Sequence, residues 1–447
     1  MSLPESPPST SGLANIAPEK LVAYLLNPAI TAAIGQVNDE YFYWTEMRRR
    51  PLPAEADAVI LWQVARQLRR QSAWHLTWKS GLEQWQFSYN LPKSLQQMLY
   101  TLDAQLGGER RAVQALLSGA ERQSLLVNAR MEEAIASSQM EGASTTREAA
   151  KELLRTRRKP LNKSERMIVN NYRTMRHLQE IIHRPMSIEG LLEIQALVTR
   201  GTLDAPQQEG QLRTNDNISV VDHITSEVVH YPPGHLHVPF LLAQLCKLAN
   251  ANDSTHHPLV TGCLLHFLVG FIHPFADGNG RTARALFYWY LLRRNYWLVE
   301  YMPLSRIIKR SAVQYGRAYL FAEADGNDIT YFIKYHLQVL TQAYADLQAH
   351  LVRQRQQVAQ TRQLLLTGLN ERQIQMVQWV RERAETTLTI RDAQHRFNVV
   401  YQTARTDLMG LEAAGLLESR RVGKMKLMYF RAEDLESRLA QLNRQDL

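Results

Sequence analysis

Residues 273–284 read His-Pro-Phe-Ala-Asp-Gly-Asn-Gly-Arg-Thr-Ala-Arg, and this stretch decides the expected fold and chemistry. It lies between two apolar runs that have the length of helices. Glycines at the start of a helix turn consecutive backbone N–H groups toward one point, at the positive end of the helix dipole. We therefore expect Gly278, Asn279 and Gly280, which we call the glycine loop, to bind an anion.

The charged residues of the same stretch suit a nucleotide that is bound together with a metal ion. Arg281 and Arg284 lie three residues apart on one helix face, where both can bind phosphate oxygens. Asp277 supplies the oxygen ligand that Mg²⁺ prefers, with Mn²⁺ as the alternative ion. His273 precedes the loop, and an imidazole commonly accepts the proton of an attacking hydroxyl. Together these residues predict the transfer of a phosphorus-containing group.

The run resembles the signature of the Fic (Fido) family, HPFx(D/E)GNGRxxR, at every fixed position. The resemblance implies a mostly helical core that transfers AMP from its substrate ATP to a Ser, Thr or Tyr hydroxyl of a target protein. It implies that His273 is the general base, that Phe275 anchors the loop in the core and that Asp277 binds Mg²⁺. It further implies that the glycine loop holds the α-phosphate and that Arg281 and Arg284 hold the β- and γ-phosphates.

Residues 217–231 predict a β-hairpin, because two short β-rich runs surround a polar segment. A lone hairpin among helices presents unpaired backbone edges. The resemblance implies that this hairpin is a flap, which pairs with an extended segment of the target protein. The residues expected to border the nucleotide are Ser219, Val220, Val221 and Asp222, and those expected to dock the target are Ile218, Val220 and Val228.

Upstream of the loop, Ser137, Glu141 and Gly142 are similar to the family's inhibitory motif, (S/T)xxxE(G/N). The resemblance implies that Glu141 pairs with Arg284 and so keeps this arginine from the γ-phosphate. Such a pair would be hard to break if partly buried, because loss of one partner leaves a desolvated charge at a cost of about 3–5 kcal/mol. The alternative is that Glu141 is an ordinary acidic residue at a helix end. In some relatives the same glutamate also supports removal of AMP, which this sequence leaves undecided.

The last fifth of the chain predicts a separate winged helix-turn-helix, because three helical patterns precede two short strands. Residues 351–447 carry 16 Lys and Arg against 11 Asp and Glu, a weak indication of a polyanionic partner. The basic residues expected to contact DNA are Arg405, Arg420, Arg421, Lys424 and Lys426. An equal alternative is that this domain docks another protein or forms a dimer. The expected partner is therefore DNA or a docking protein, and a homodimer is left open.

The expected fold class is mainly α, with a helical Fic core, a β-hairpin flap and a C-terminal winged helix domain of the α+β type. The expected boundaries are a flexible tail 1–30, a helical region 31–186 that includes the inhibitory helix at about 125–142, the catalytic core 187–345, a helical linker 346–369, the winged helix 370–432 and a tail 433–447. The helical region is rich in aromatic residues, which form either a layer docked on the core or a stacking surface for nucleic acid.

Composition excludes several classes of protein. A chain of 447 residues with 45% hydrophobic residues is neither disordered nor collagen-like. Two cysteines exclude a disulfide framework and a cysteine-based metal site. No apolar run is long enough to span a membrane, so we expect a cytoplasmic protein without a membrane partner. Two functions remain: an AMP-transferring enzyme, which the intact His273 favours, and a DNA-binding transcriptional regulator whose Fic core senses a nucleotide.

Overall fold

The computed structural model describes residues 3–107, 119–221, 226–251, 255–365, 368–382, 385–422 and 426–439. The chain divides into two compact units, Met1–Leu347 and Gln348–Leu447. The described residues are mostly helical, with three two-stranded antiparallel sheets. The expected fold class is therefore confirmed.

The first unit consists of helices that pack around two central, buried helices. Its helices are α1 (Pro18–Leu26), α2 (Pro28–Asp39), α3 (Trp44–Met47), α4 (Ala58–Ser72), α5 (Lys93–Leu106), α6 (Gly119–Met140), α7 (Arg147–Thr156), α8 (Lys163–Ile181), α9 (Ile188–Thr199), α10 (Val238–Asn250), α11 (Pro258–Ile272), α12 (Asn279–Arg293), α13 (Leu304–Arg310), α14 (Ala312–Ala324) and the start of α15 (Thr330–Leu365). Its strands are β1 (Trp74–Ser80), β2 (Glu83–Tyr89), β3 (Val220–Val221) and β4 (Val228–His230).

Helices α11 and α12 form the centre of the first unit and carry the loop between them. Helix α11 is buried along nearly its whole length, because a helix that is apolar on all sides is stable only inside a core. Helix α12 begins at Asn279, inside the predicted glycine loop and earlier than the apolar run alone suggests. The N-terminal end of a buried helix therefore lies directly at the predicted anion site.

The front of the chain packs on this core as a layer. Its aromatic residues form one buried cluster that includes Tyr41, Tyr43, Trp44 and Trp62 together with Tyr331 of α15. The expectation of a flexible tail over residues 1–30 is wrong. Helix α1 lies within that range, and Trp44 Nε1 donates to Glu5 Oε1 at 3.0 Å. The buried cluster favours the docked layer over a nucleic-acid surface.

The expectation of a helical region over residues 31–186 is wrong at β1 and β2. These strands pair from Trp74 opposite Tyr89 to Ser80 opposite Glu83. Leu76 and Trp78 are buried while their neighbours in the strand are more exposed, which is the alternation of a strand with one face on the core. The tryptophans of this segment recur at spacings that also suit a helix, so the aromatic pattern alone favours the wrong period.

The second unit has the predicted order of three helices and a hairpin. Its elements are α16 (Glu371–Glu382), α17 (Ile390–Phe397), α18 (Tyr401–Ala413), β5 (Leu417–Val422) and β6 (Lys426–Arg431). Leu388 and Tyr429 exchange two backbone hydrogen bonds of 2.9 and 2.8 Å, which adds a third strand segment to the hairpin. The expected C-terminal tail from 433 is wrong in part, because Leu435 and Leu439 are buried in the core of this unit.

Candidate active site

The backbone between α11 and α12 is fixed by two left-handed residues and one asparagine. Helix α11 ends at His273, whose φ is 48°, and Gly278 has a φ of 86°. Asn279 Oδ1 accepts from the Phe275 N–H at 3.0 Å, and Asn279 Nδ2 donates to the Phe275 carbonyl at 2.8 Å. This pair of bonds closes the turn and leaves the N-terminal end of α12 at the loop.

Arg281 and Gln195 hold the interior face of the segment 277–284, which contains the glycine loop. Arg281 is 1% exposed, its NH1 donates to the Val198 carbonyl at 2.8 Å and its NH2 donates to Asp277 Oδ1 at 3.1 Å. Gln195 Nε2 donates to the Asp277 carbonyl at 3.0 Å, and Gln195 Oε1 accepts from the Gly210 N–H at 2.6 Å. The protein itself engages the Arg281 guanidinium, and the phosphate contact of this arginine stays a prediction.

The expectation that Arg281 and Arg284 share one face is not met, because Arg284 reaches the end of helix α6 on the other side of the segment. Its Nε donates to Ser137 Oγ at 2.8 Å, and its NH2 donates to the Ser137 carbonyl at 3.1 Å and to Glu141 Oε1 at 2.9 Å. Burial lowers the pKa of Arg284, but Glu141 and Tyr315 outweigh burial and raise it above its ordinary value, so the guanidinium stays charged. The structure therefore brings together Ser137, Glu141 and Arg284, as the sequence predicts.

Gly142 positions Glu141 by ending helix α6. The Ala143 N–H donates to the Ser138 carbonyl at 3.0 Å, and the Gly142 N–H donates to the Gln139 carbonyl at 3.2 Å. These are the two bonds of a Schellman motif, which needs a left-handed residue after the helix, and Gly142 has a φ of 89°. The motif turns the chain immediately after Glu141 and so leaves this carboxylate at the helix end.

Sequence reasoning missed the residue that fixes helix α6 to the core. Glu133 is 2% exposed and accepts from the Ser305 N–H at 2.8 Å and from the Tyr288 hydroxyl at 2.9 Å. Burial raises the pKa of Glu133, while the hydrogen bonds from Ser305 and Tyr288 lower it in part. An acidic residue inside a mixed helical pattern gives no signal of such a contact, because its partners lie on distant elements.

His273 is oriented so that one ring nitrogen is free for chemistry. Its Nδ1 lies 3.1 Å from the Gly270 carbonyl, which can only accept, so Nδ1 carries the proton and the neutral ring has its lone pair on Nε2. The pKa of His273 is lowered by burial first and then by His230 and Arg213, while the Gly270 carbonyl and Glu141 oppose the shift. A neutral imidazole with an unprotonated Nε2 can accept a proton near neutral pH.

Asp277 fits the role of a single carboxylate ligand to a phosphate-bound cation. Its side chain is 46% exposed, and Oδ1 accepts from the Gly278 N–H and from Arg281. Among the described residues no cluster of three or more His, Cys, Asp or Glu side chains could hold a metal ion alone. Mg²⁺ keeps several waters and commonly takes one or two carboxylates plus phosphate oxygens. The donor set therefore suits Mg²⁺ or Mn²⁺ delivered with a polyphosphate.

Comparison with known proteins agrees with the geometry of both units. Residues 185–291 match the Fic/DOC family, and residues 372–424 match the DeoR-like helix-turn-helix domain. The chain contains a Fic/DOC domain. The protein adenylyltransferase Fic of Drosophila sechellia is 35% identical over 112 residues, which cover 25% of this chain and 21% of that protein. The chain thus spans about a fifth of the length of such curated relatives.

Solved structures with similarity to this chain include two bacterial proteins. A Fic family protein from Desulfovibrio desulfuricans has a TM-score of 0.49 and 21% identity, and the match covers 75% of this chain and 96% of that chain. A Fic domain containing signaling protein from Bacteroides thetaiotaomicron has a TM-score of 0.46 and 20% identity, with 56% and 94% of the two chains covered. Separately, none of the helices in the described ranges combines the length and apolarity needed to cross a membrane.

The flap of the Fic/DOC domain is shorter than the sequence predicts. Val220 pairs with His230 and Val221 pairs with Val228. Ile218 and Ser219 precede the ladder and are half-buried. The predicted nucleotide neighbour Asp222 lies outside the described residues.

Arg213, which the sequence analysis left without a role, joins the flap segment to the loop of the Fic/DOC domain. Its N–H donates to the Pro274 carbonyl at 2.9 Å and its Nε donates to the His273 carbonyl at 2.9 Å. Its NH1 donates to Asp216 Oδ1 at 2.9 Å. Gly210-Gln-Leu-Arg213 directly precedes the predicted hairpin in the sequence, but nothing in this string identifies His273 and Pro274 as partners.

The predicted DNA-contacting residues of the second unit fall on helix α18 and on both strands of the β5–β6 hairpin. Arg405 is exposed on α18, beside the exposed Tyr401 and Gln402. Arg420 and Arg421 are exposed on β5. Lys426 begins β6, and Lys424 lies outside the described residues.

Proposed function

We propose that this protein transfers AMP from ATP to a Ser, Thr or Tyr hydroxyl of a target protein. Members of the Fic family are in general transferases, and the chain has its signature loop with every fixed position present. In the proposed reaction the hydroxyl oxygen bonds to the α-phosphorus, and the bond from that phosphorus to the oxygen bridging the β-phosphate breaks. Diphosphate leaves, and the hydroxyl proton passes to Nε2 of His273.

The other residues of the loop would bind and orient the nucleotide. The backbone N–H groups of the glycine loop would hold the α-phosphate at the positive end of α12. Asp277 would hold Mg²⁺ or Mn²⁺, and the ion would supply positive charge to the phosphate oxygens. Arg284 would bind the γ-phosphate once Glu141 releases it.

The observation that supports autoinhibition of this transfer is the pairing of Arg284 with Glu141. Their side chains are 4% and 27% exposed, and NH2 and Oε1 lie 2.9 Å apart. A γ-phosphate must compete with this carboxylate for the same guanidinium. Because Glu141 is partly exposed, it can turn toward water when it is displaced, so the inhibition is reversible. We propose that the resting enzyme is held at low activity by this pair.

The test measures labelling of the protein and of cell lysate with ATP that is labelled at the α-phosphate, in the presence of Mg²⁺. We expect weak labelling by the parent, stronger labelling by Glu141→Gly and none by His273→Ala. Glu141→Gln should lie between the parent and Glu141→Gly, because its amide oxygen still accepts from Arg284 without a charge. The matched control is Glu148→Gln, an exposed acid on α7, which should behave as the parent. If Glu141→Gly labels no more than the parent with any of the common nucleoside triphosphates, the proposed inhibition is wrong.

A second function, DNA binding by the second unit, is favoured by its match to the DeoR-like helix-turn-helix domain. Tyr401, Gln402 and Arg405 form an exposed polar start to α18, the position from which such a helix reads base edges. We expect specific binding to a genomic fragment that weakens steeply with salt. Arg405→Ala should lower the affinity by about 1–3 kcal/mol, whereas the exposed Arg438→Ala should not. Binding that is equal for all sequences would favour the docking alternative.

A further inference from the structure

A strongly basic surface lies next to the helix that carries Glu141. Residues 155–176 contain eight Lys and Arg and a single acid, Glu165, for a net charge of +7, whereas the whole chain has a net charge of +9. This stretch covers the end of α7, the following turn and much of α8. Positive charge is therefore concentrated in this stretch of the first unit, and we call its exposed face the α7–α8 basic surface.

A cavity of about 520 Å³ opens within the α7–α8 basic surface. Its volume is in the range of ligand-binding cavities. The apolar side chains that line it come from three helices and include Val127 and Met131 of α6, Leu153 and Leu154 of α7, and Val169 of α8. The cations around it are Arg155, Arg157, Arg158, Lys159, Arg173 and Arg176. The cavity thus combines an aliphatic floor with a cationic rim.

The rim cations are for the most part not neutralised by the protein. Arg158 pairs with Glu165, with NH2 and Oε1 2.6 Å apart. The other five rim cations are exposed, and no ion pair joins them to another residue in the part of the chain that the structure describes. Like charges that lie close together repel each other and destabilise the folded state. An anionic partner would relieve this repulsion.

We propose that this cavity binds an acidic, amphipathic segment of a partner protein. Its carboxylates would pair with the rim while its aliphatic side chains enter the floor, as in helix-in-groove recognition. A nucleic acid would use stacking rings along with the cations, and Tyr172 is the one aromatic residue among the lining residues. A second copy of the chain, docked symmetrically, would face this surface with the same positive charge.

The position of the cavity connects it to the pair of Glu141 and Arg284, and this step depends on the proposed inhibition. Met131 lies on α6, the helix that ends at the Glu141 turn. Glu132 of α6 accepts from Arg147 and from Lys151 of α7, so the two helices are joined beside the cavity. A segment seated against the partly exposed Val127 and Leu154 contacts both helices. Binding that moves α6 against the hydrogen bonds of Glu133 is expected to loosen Glu141 from Arg284 and raise transfer.

Binding is tested first, without nucleotide, so that it does not depend on the proposed reaction. The probe is a fluorescent peptide of about 16 residues, roughly four helical turns, with Glu and Leu on opposite helix faces. We expect the full chain to bind it more tightly than a scrambled peptide of equal composition. Arg155→Glu, Arg173→Glu and Arg176→Glu together should weaken binding by about 100-fold. The matched control reverses the charge of three exposed side chains elsewhere in the first unit, with Lys20→Glu, Arg49→Glu and Lys79→Glu. This control should bind the peptide as tightly as the parent does.

Three outcomes would overturn the proposal. Equal binding of the scrambled peptide would show that charge alone attracts it and that the floor has no role. Tighter binding of a short DNA duplex, lost in the rim variant, would make this a nucleic-acid surface. A parent dimer that the rim variant dissociates in sedimentation would make it an interface between copies. Leu154→Asp tests the floor separately, and thermal unfolding shows whether each variant is folded.

The coupling is then measured by labelling with and without saturating peptide. We expect the peptide to raise labelling by the parent toward the level of Glu141→Gly and to leave Glu141→Gly unchanged. Peptide that binds but does not raise labelling by the parent, while Glu141→Gly is active, would overturn the coupling. If neither protein labels anything, the proposed AMP transfer fails, whereas the binding result is read independently.

Discussion

The two faces of the segment 277–284 are built differently although they share one short stretch of chain. On the interior face, Gly278 and Arg281 contact helix α9, and the guanidinium is bound within its own loop and to Val198. On the opposite face, Gly280 and Arg284 contact the end of α6, where Glu141 and Ser137 are the partners. The first face fastens the loop to the core, and the second connects it to a carboxylate that can leave.

This difference indicates where stability and regulation are located. A buried bond between neighbouring core elements is made once, when the chain folds, and contributes to the free energy of unfolding. A bond to a partly exposed carboxylate can be exchanged for another anion without unfolding. Arginines three residues apart on α12 can therefore have different roles. The same substitution at each position should then change the free energy of unfolding by different amounts.

The largest effect is expected from replacing the two arginines in turn. Arg281→Met leaves the buried Val198 carbonyl without its donor and should lower the free energy of unfolding by about 3 kcal/mol. Arg284→Met leaves the Ser137 carbonyl and hydroxyl without their donor, but the freed Glu141 carboxylate can turn to water, so the loss should be smaller, about 2 kcal/mol. Urea unfolding followed by tryptophan fluorescence measures both, since every tryptophan except Trp379 lies in the first unit.

Equal losses for the two arginine variants would contradict the distinction between the faces. Arg166→Met serves as a control, because this exposed arginine donates to the Gly201 carbonyl at the surface. We expect its loss to be below about 0.5 kcal/mol.

The loop could be predicted from the sequence because its chemistry is contiguous. Twelve consecutive residues contain the predicted base, the predicted metal ligand, the glycines and both arginines, and the turn residues act on their immediate neighbours. The pairing of Glu141 with Arg284 could be named only because a second motif marked the other partner. Nothing local marks Gln195 or Glu133, whose partners are far along the chain, so their roles emerge only from the packed structure.

Charge and strand period show two further limits of sequence reasoning. The charge of residues 1–350, 36 Lys and Arg against 32 Asp and Glu, conceals the α7–α8 basic surface, because acidic residues elsewhere in that range cancel it in the sum. The strands β1 and β2 were missed because their tryptophans also fit helical spacing, and only burial shows which residues share a face. In both cases the information was present in the sequence, but its meaning depended on which residues lie together in space.

A smaller effect on the free energy of unfolding is expected from a glycine-to-alanine substitution on each face. A Cβ at Gly278 would lie 2.7 Å from Thr199 Cγ2, and the φ of 86° disfavours any other residue, so Gly278→Ala should cost about 2 kcal/mol. A Cβ at Gly280 would lie 2.3 Å from Glu141 Oε1, the far end of a flexible side chain. This carboxylate can move, and alanine favours the helix, so Gly280→Ala should cost less than about 1 kcal/mol.

The same unfolding assay checks the glycine pair. Gly35→Ala is the control, because it lies inside α2 with open space around the added methyl group and should be neutral or stabilising. A larger loss for Gly280→Ala than for Gly278→Ala would mean that Glu141 is held as rigidly as the interior face.

The smallest effect concerns two histidines, one beside the loop and one in the interior. Burial lowers the pKa of His273 and lowers that of His336 to about 3. A histidine with a lowered pKa in the folded state binds its proton more readily after unfolding. Its contribution to stability is therefore complete above the unfolded value of about 6.5 and is lost as pH falls below it. For His336 the loss should reach about 1.4 kcal/mol at pH 5.5.

His336→Phe isolates this contribution, because it keeps an aromatic ring in the cluster and removes the proton-binding group. Its stability relative to the parent should therefore improve by about 1.4 kcal/mol between pH 7.5 and pH 5.5. The exposed His183→Phe is the control and should show no such change. His273 should act on the rate instead, so that labelling by Glu141→Gly declines at a pH below the ordinary histidine pKa of about 6.5. A pH-independent difference for His336→Phe would show that this ring is solvated in the folded protein, because only a buried neutral imidazole resists protonation in this way.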